Sequence, residues 1–157
     1  ASQWRGGNWT GMAYTTHHSG RQIRAMFEEI GYSPTDCYYT NTVKCCPTTP
    51  DGETREPATE ERDACFDHLH TEITRVDPAV LIPTGKIATE TLFSLDDQDL
   101  TGFLDIILEP TRSDRLGKPI LPLLHPSYQS VWLSRLGYTH EEYLTELTET
   151  LTTILDP

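Results

Sequence analysis

Helical and strand patterns alternate along this chain, which predicts an α/β fold with a parallel sheet covered on both faces. Two observations carry the prediction. Apolar residues recur at helical spacing in 20–31 and 59–76, and short apolar runs stop abruptly at Gly85 and at His125. A length of 157 residues fits one core, so 1–157 is read as a single domain.

Taken in order, "SGRQIRAMFEEIG" places Ile23, Met26, Phe27 and Ile30 on one helical face, with Gly31 to end it. "DCYYTNTVK" reads as a strand from its β-branched and aromatic content. "CCPTTPDGETREPAT" is a loop. A helix is expected from Thr59 to Val76, with Cys65, Leu69, Ile73 and Val76 along one side. "AVLIPTG" is a short strand and "KIATETLFS" a helix. Residues 96–117 read as loop with one short strand at most, and "KPILPLLHP" as a further strand broken by its own prolines. The last helix starts at Thr139, where Glu142 completes a capping box, and buries Tyr143, Leu147, Leu151 and Ile154.

Composition restricts the partners. The formal charge is −12, with 24 acidic against 12 basic residues, and Lys44, Lys86 and Lys118 are the lysines. Such a chain repels nucleic acid at low ionic strength. At about 1 M salt the screening length falls to about 3 Å and the repulsion fades beyond contact, so a saline host is expected. No apolar run reaches bilayer length and no signal segment opens the chain. A cytoplasmic monomer is the expectation. The opening "ASQWRGGNW" reads as the middle of a loop, as in a chain trimmed at its N-terminus.

Ligands of open α/β sheets bind beyond the carboxyl ends of the strands. That rule brings Asn41–Pro57, Thr84–Lys86 and His125–Gln129 to one edge. Asn41 and His125 then share a rim, a carboxamide beside an imidazole. A lone histidine is more often structural; the pairing with Asn41 favours a functional one. Pro126 after His125 fixes the direction of the imidazole. Cys45 and Cys65 supply two thiolates, half of a tetrahedral metal site, and small buried hydrophobes are the competing reading. Cys37 and Cys46 are placed less well for that site. Trp9, beside glycines in "GGNWTG", offers a ring for stacking on a planar ligand, or a cover for the core. His17 and His18 read as solvated loop. "PTGKIA" is a weak phosphate-loop signal, and a strand-to-helix turn is preferred.

The succession "TNTVKC", "REPATEERDAC", "VDPAVLIPTGKIATETL" and "KPILPLLHPSY" resembles the uracil-DNA glycosylase superfamily, and within it the iron–sulfur family 4 of thermophiles and archaea. The resemblance runs from Gly6 to Tyr128. It implies a three-layer α/β/α sandwich and hydrolysis of the bond between uracil and deoxyribose in DNA, after the base is flipped from the stack. Asn41 then matches the residue that reads the uracil edge, and His125 the histidine near uracil O2. Trp9 or Tyr14 matches the stacking ring. Cys45 and Cys65 match two ligands of a 4Fe–4S cluster. Lys44, Ser127, Tyr128 and Gln129 are candidate DNA contacts. The family's Gly–Glu–Ala–Pro–Gly-like turn, which positions the hydrolytic water, and its two N-terminal cysteines have no match, so the chain is expected to lack the first strand, the water-activating group and half of the cluster ligands. A non-catalytic module gripping nucleic acid or a free base on the same fold is the alternative, and a small nucleotide binder built on Gly85–Lys86 ranks last.

Overall fold

Apolar side chains three and four apart fold the segment after Thr15 into α1 (His18–Glu29), which buries Gly20, Ile23, Met26 and Phe27. The structure, a computed structural model, describes Tyr14, Thr15 and residues 18–156; Trp9 and His17 lie outside the described residues. α2 (Thr59–Val76) has the predicted bounds and buries Leu69 and Ile73. Val76 is exposed at its far end. Its N-terminal cap, Ala58, has no capping side chain; instead the Glu61 carboxylate accepts the Ala58 N–H at 2.8 Å. Asp77 closes it in the left-handed region at φ 47° and pairs with Lys118 at 2.5 Å, tying the helix end to the sheet.

Gly85 turns the chain into α3 (Lys86–Phe93). A hairpin follows, β1 (Thr111–Ser113) paired antiparallel with β2 (Lys118–Ile120), Thr111 opposite Ile120. α4 (Gln129–Leu136) and α5 (His140–Leu155) complete the described elements. At α5 the predicted capping box is formed: Thr139 Oγ1 accepts the Glu142 N–H at 3.2 Å, and Glu142 accepts the Thr139 N–H at 2.8 Å.

The site depends on one parallel pairing. Leu81 bridges Ile120 and Thr84 bridges Leu123, both in parallel. The rungs are Leu81 N–H to Pro119 O, Leu121 N–H to Leu81 O, Leu123 N–H to Pro83 O and Gly85 N–H to Leu123 O, all between 2.8 and 2.9 Å. Pro83 carries no N–H, which removes the rung it would otherwise donate between the two bridges. Side chains alternate across it. Leu121 and Leu123 join Ile23, Met26, Phe27, Leu133, Tyr143, Leu147 and Leu151 in one core cluster, fed by α1, α4 and α5. Leu81 and Ile120 join Leu69, Ile73 and Leu92 in a second, fed by α2 and α3. Leu121 and Leu123 are fully buried, each worth about 1.5–3 kcal/mol of transfer free energy.

The α/β class stands, with two corrections and one addition. The 36–44 segment forms no strand; among the described residues nothing pairs with its backbone as a ladder. Residues 111–120 form an antiparallel hairpin, so the sheet is mixed. The segment after Tyr128, given no element from sequence, is α4: Leu133 and Leu136 lie on one face, and Gly137 closes it at φ 81°.

Candidate functional site

The two parallel segments end side by side. Once Thr84 has bridged Leu123, the chains leave the sheet together at Gly85 and at His125. Gly85 sits at φ 94°, a conformation that side chains oppose. A Cβ there would stand 2.9 Å from the Cβ of His125, so glycine meets both the backbone and the packing requirement. The imidazole therefore lies against bare backbone on one side.

His125 opens a short 3₁₀ turn, Pro126–Tyr128. Its Nδ1 accepts the Ser127 N–H at 3.2 Å. An accepting Nδ1 puts the ring proton on Nε2, which becomes the donor. Burial lowers the His125 pKa below its ordinary value of 6.5, which favours that neutral form. The Tyr128 ring stands 5.8 Å from the imidazole and is itself 60% exposed.

Asn41 is held by two neighbours, Tyr14 and Lys44. The Tyr14 hydroxyl donates to Asn41 Oδ1 at 3.0 Å and to Thr40 O at 3.1 Å. Lys44 Nζ donates to the Asn41 carbonyl at 2.7 Å. The same ammonium bonds Thr40 Oγ1 at 2.8 Å and Glu72 Oε2 at 2.6 Å, and Thr40 Oγ1 also donates to Glu72 at 2.6 Å. Glu72 thus fastens the Asn41 turn to α2. One open cleft is lined by Tyr14, Asn41, Gly85, Lys86, His125 and Tyr128. Asn41 and His125 thus both border this cleft.

The sequence carries the same signal along nearly its whole length: residues 3–152 match the family described as the uracil DNA glycosylase superfamily. The chain belongs to the uracil DNA glycosylase superfamily. It is 28% identical over 111 residues to a type-4 uracil-DNA glycosylase of Archaeoglobus fulgidus, covering 69% of this chain and 54% of that protein. A type-4 uracil-DNA glycosylase of Thermotoga maritima is 29% identical over 114 residues, 70% of this chain and 53% of the relative. A DNA polymerase of Bacillus phage SP01 is 29% identical over 115 residues, 73% of this chain and 11% of the polymerase. The chain spans about half the length of the type-4 glycosylases of Archaeoglobus and Thermotoga.

Within this superfamily fold, several residues singled out from sequence have other duties. Lys44, expected to touch phosphate, has its three ammonium protons committed to Thr40, Asn41 and Glu72, so it positions the Asn41 turn. Gln129, expected at the DNA surface, is buried, and its Nε2 donates to Met26 Sδ at 3.5 Å between α4 and α1. Ser127 and Tyr128 are exposed on the rim. Tyr14 enters through its hydroxyl, while its ring tilts against Tyr39 at 5.7 Å. Sequence reading missed Glu72, and it placed Gly85 on the rim without its close packing against His125. Gly85 was visible as the glycine that ends an apolar run, whereas Glu72 carries no local signal, lying 28 residues from Lys44.

Cys45 is exposed, Cys65 half-buried, and all four cysteines are free thiols. Among the described residues no group of three or more His, Cys, Asp and Glu side chains is placed to hold a metal ion. Two thiolates are half of what a 4Fe–4S cluster takes, so the described residues by themselves do not fit that group. No helix among the described residues is long and apolar enough to cross a membrane.

Proposed function

We propose that this chain recognises uracil flipped out of DNA and hydrolyses its N-glycosidic bond, the activity named for its type-4 relatives. The observation that carries this reading is the shared cleft: Asn41 and His125 line it together, the imidazole fixed with Nε2 as donor. The carboxamide offers a donor and an acceptor side by side, matching uracil O4 and N3–H. Cleavage breaks the C1′–N1 bond, and the bonding pair leaves with the base, its charge spread over N1 and O2. The Nε2–H of His125 stabilises that charge as it forms. Water oxygen bonds to C1′, and its released proton balances the charge on the departing uracil. An aromatic floor, Trp9 or Tyr14, repays part of the unstacking cost, at about 1–3 kcal/mol per stacked base. Ser127 and Tyr128 are the proposed contacts to the DNA strand.

The test uses full-length protein and a uracil-containing oligonucleotide over a salt series. Strand scission after alkali, specific to uracil, is expected. His125→Ala should lower the excision rate by about 10²–10³. Asn41→Ala should weaken uracil excision at least as much. Tight uracil binding with intact glycosidic bonds at every salt concentration would instead support a binding module, a role compatible with the unit's match inside a phage DNA polymerase. Iron and sulfide analysis of the same preparation tests the cluster expected from Cys45 and Cys65; folded, iron-free protein would reject it.

A further inference from the structure

An asparagine carboxamide has two ends of almost equal size, one a donor and one an acceptor. Unless something fixes it, half a turn exchanges them, and the side chain accepts either kind of base edge. Selectivity at Asn41 therefore requires a second residue.

We propose that Tyr14 is that residue: its hydroxyl positions the Asn41 carboxamide so that Nδ2 is left for the ligand, restricting the cleft to bases that present an acceptor there. The proposal deepens the reading above and rests on it, since it assumes that Asn41 meets the base. The Tyr14 O–H shares its proton between Asn41 Oδ1 at 3.0 Å and Thr40 O at 3.1 Å. Among the described residues Nδ2 has no such partner. The Asn41 backbone is held independently, through its carbonyl, by Lys44. What Tyr14 controls is thus the rotation of the amide itself.

Tyr14 is in turn firmly placed. Its backbone is left-handed, φ 63°. It lies so close to Gly20 of α1 that a Cβ at residue 20 would come within 2.6 Å of the Tyr14 Cα. Its ring leans on Tyr39, whose own ring carries the Arg24 guanidinium 4.3 Å from its centre. Burial raises the phenol pKa above 10, so the hydroxyl keeps its proton at any working pH.

The chemical consequence is direct. Uracil places O4, an acceptor, where cytosine places its N4 amine, a donor. With Nδ2 held toward the ligand, cytosine would set two donors face to face and leave both unpaired. Nothing in this argument uses the face of the Tyr14 ring, which separates it from a stacking role.

Tyr14→Phe removes the hydroxyl and keeps the ring. In full-length protein, loss of this one hydrogen bond should lower uracil excision about tenfold. The preference for uracil over cytosine in binding competition should fall with it. Combined with Asn41→Ala, the same substitution should have no further effect, because Tyr14 acts through Asn41. Equal losses in both backgrounds, or no loss at all, would overturn the proposal. A second readout does not need activity: the side-chain NH₂ resonances of Asn41, a single sharp pair in the unliganded protein, should shift or broaden in Tyr14→Phe. If the wild-type protein and Asn41→Ala treat uracil DNA alike, the functional reading fails. The resonances then decide alone, an unchanged pair sinking the positioning role and a changed pair upholding it.

Discussion

At the scale of single residues, the site is defined as much by a missing side chain as by those present. Gly85 lets the imidazole of His125 settle against main chain at φ 94°. Gly85→Ala is expected to cost about 1–3 kcal/mol from backbone strain alone. It should also displace the ring, so excision should fall further than thermal stability predicts; melting curves beside single-turnover rates check this. His125 itself makes a pH prediction. Its folded pKa lies below its ordinary 6.5 because burial disfavours the cation. The unfolded chain therefore binds the proton first as pH falls. Its contribution to stability is fully present above about 6.5 and is lost as pH drops through the folded value. An NMR titration should place the ring below 6.5, and His125→Asn should flatten the stability–pH profile in that window. A midpoint at or above 6.5 would contradict the burial.

At the scale of elements, α5 reaches the strand that carries the histidine. The fully buried Tyr143 accepts the Leu124 N–H at 3.3 Å, one residue before His125. Tyr143→Phe leaves that amide without a partner in the core, at a cost of about 1–3 kcal/mol. Faster hydrogen exchange at Leu124 would show that the loss is local. Elements with strong local signals were legible in sequence. The bounds of α2 and the Thr139–Glu142 cap follow from periodicity and capping chemistry within a few neighbouring residues. The 36–44 segment was misread because β-branched and aromatic content records suitability for a sheet, not the presence of a neighbour to pair with. α4 was missed because its first residues, 129–131, give little apolar spacing; Leu133, Leu136 and Gly137 were the available signal. The strand-end argument applies to His125, which follows a segment paired in the sheet, but not to Asn41, whose turn is held by Tyr14 and Lys44. The partners of Lys44 and Gln129 were not legible, because Glu72 and Met26 are 28 and 103 residues away.

At the scale of the whole molecule, charge would govern any approach to the proposed DNA substrate. With a formal charge of −12, approach to a polyanion is opposed until salt screens it. Excision at fixed DNA concentration should therefore rise as potassium chloride is raised from about 0.1 M toward about 2 M. Basic DNA-binding surfaces respond in the opposite way, by counterion release, and a steady decline with salt would show that a local cationic face outweighs the net charge. The lysines do not supply such a face unopposed: Lys44 is paired with Glu72, Lys86 with Glu90 and Lys118 with Asp77. Each primary amine of the lysine side chains is thus also a tether between parts of the chain or along a helix. Immobilising the protein on an amine-reactive resin, or tagging it with an acylating dye, would attach the label at its own fastenings.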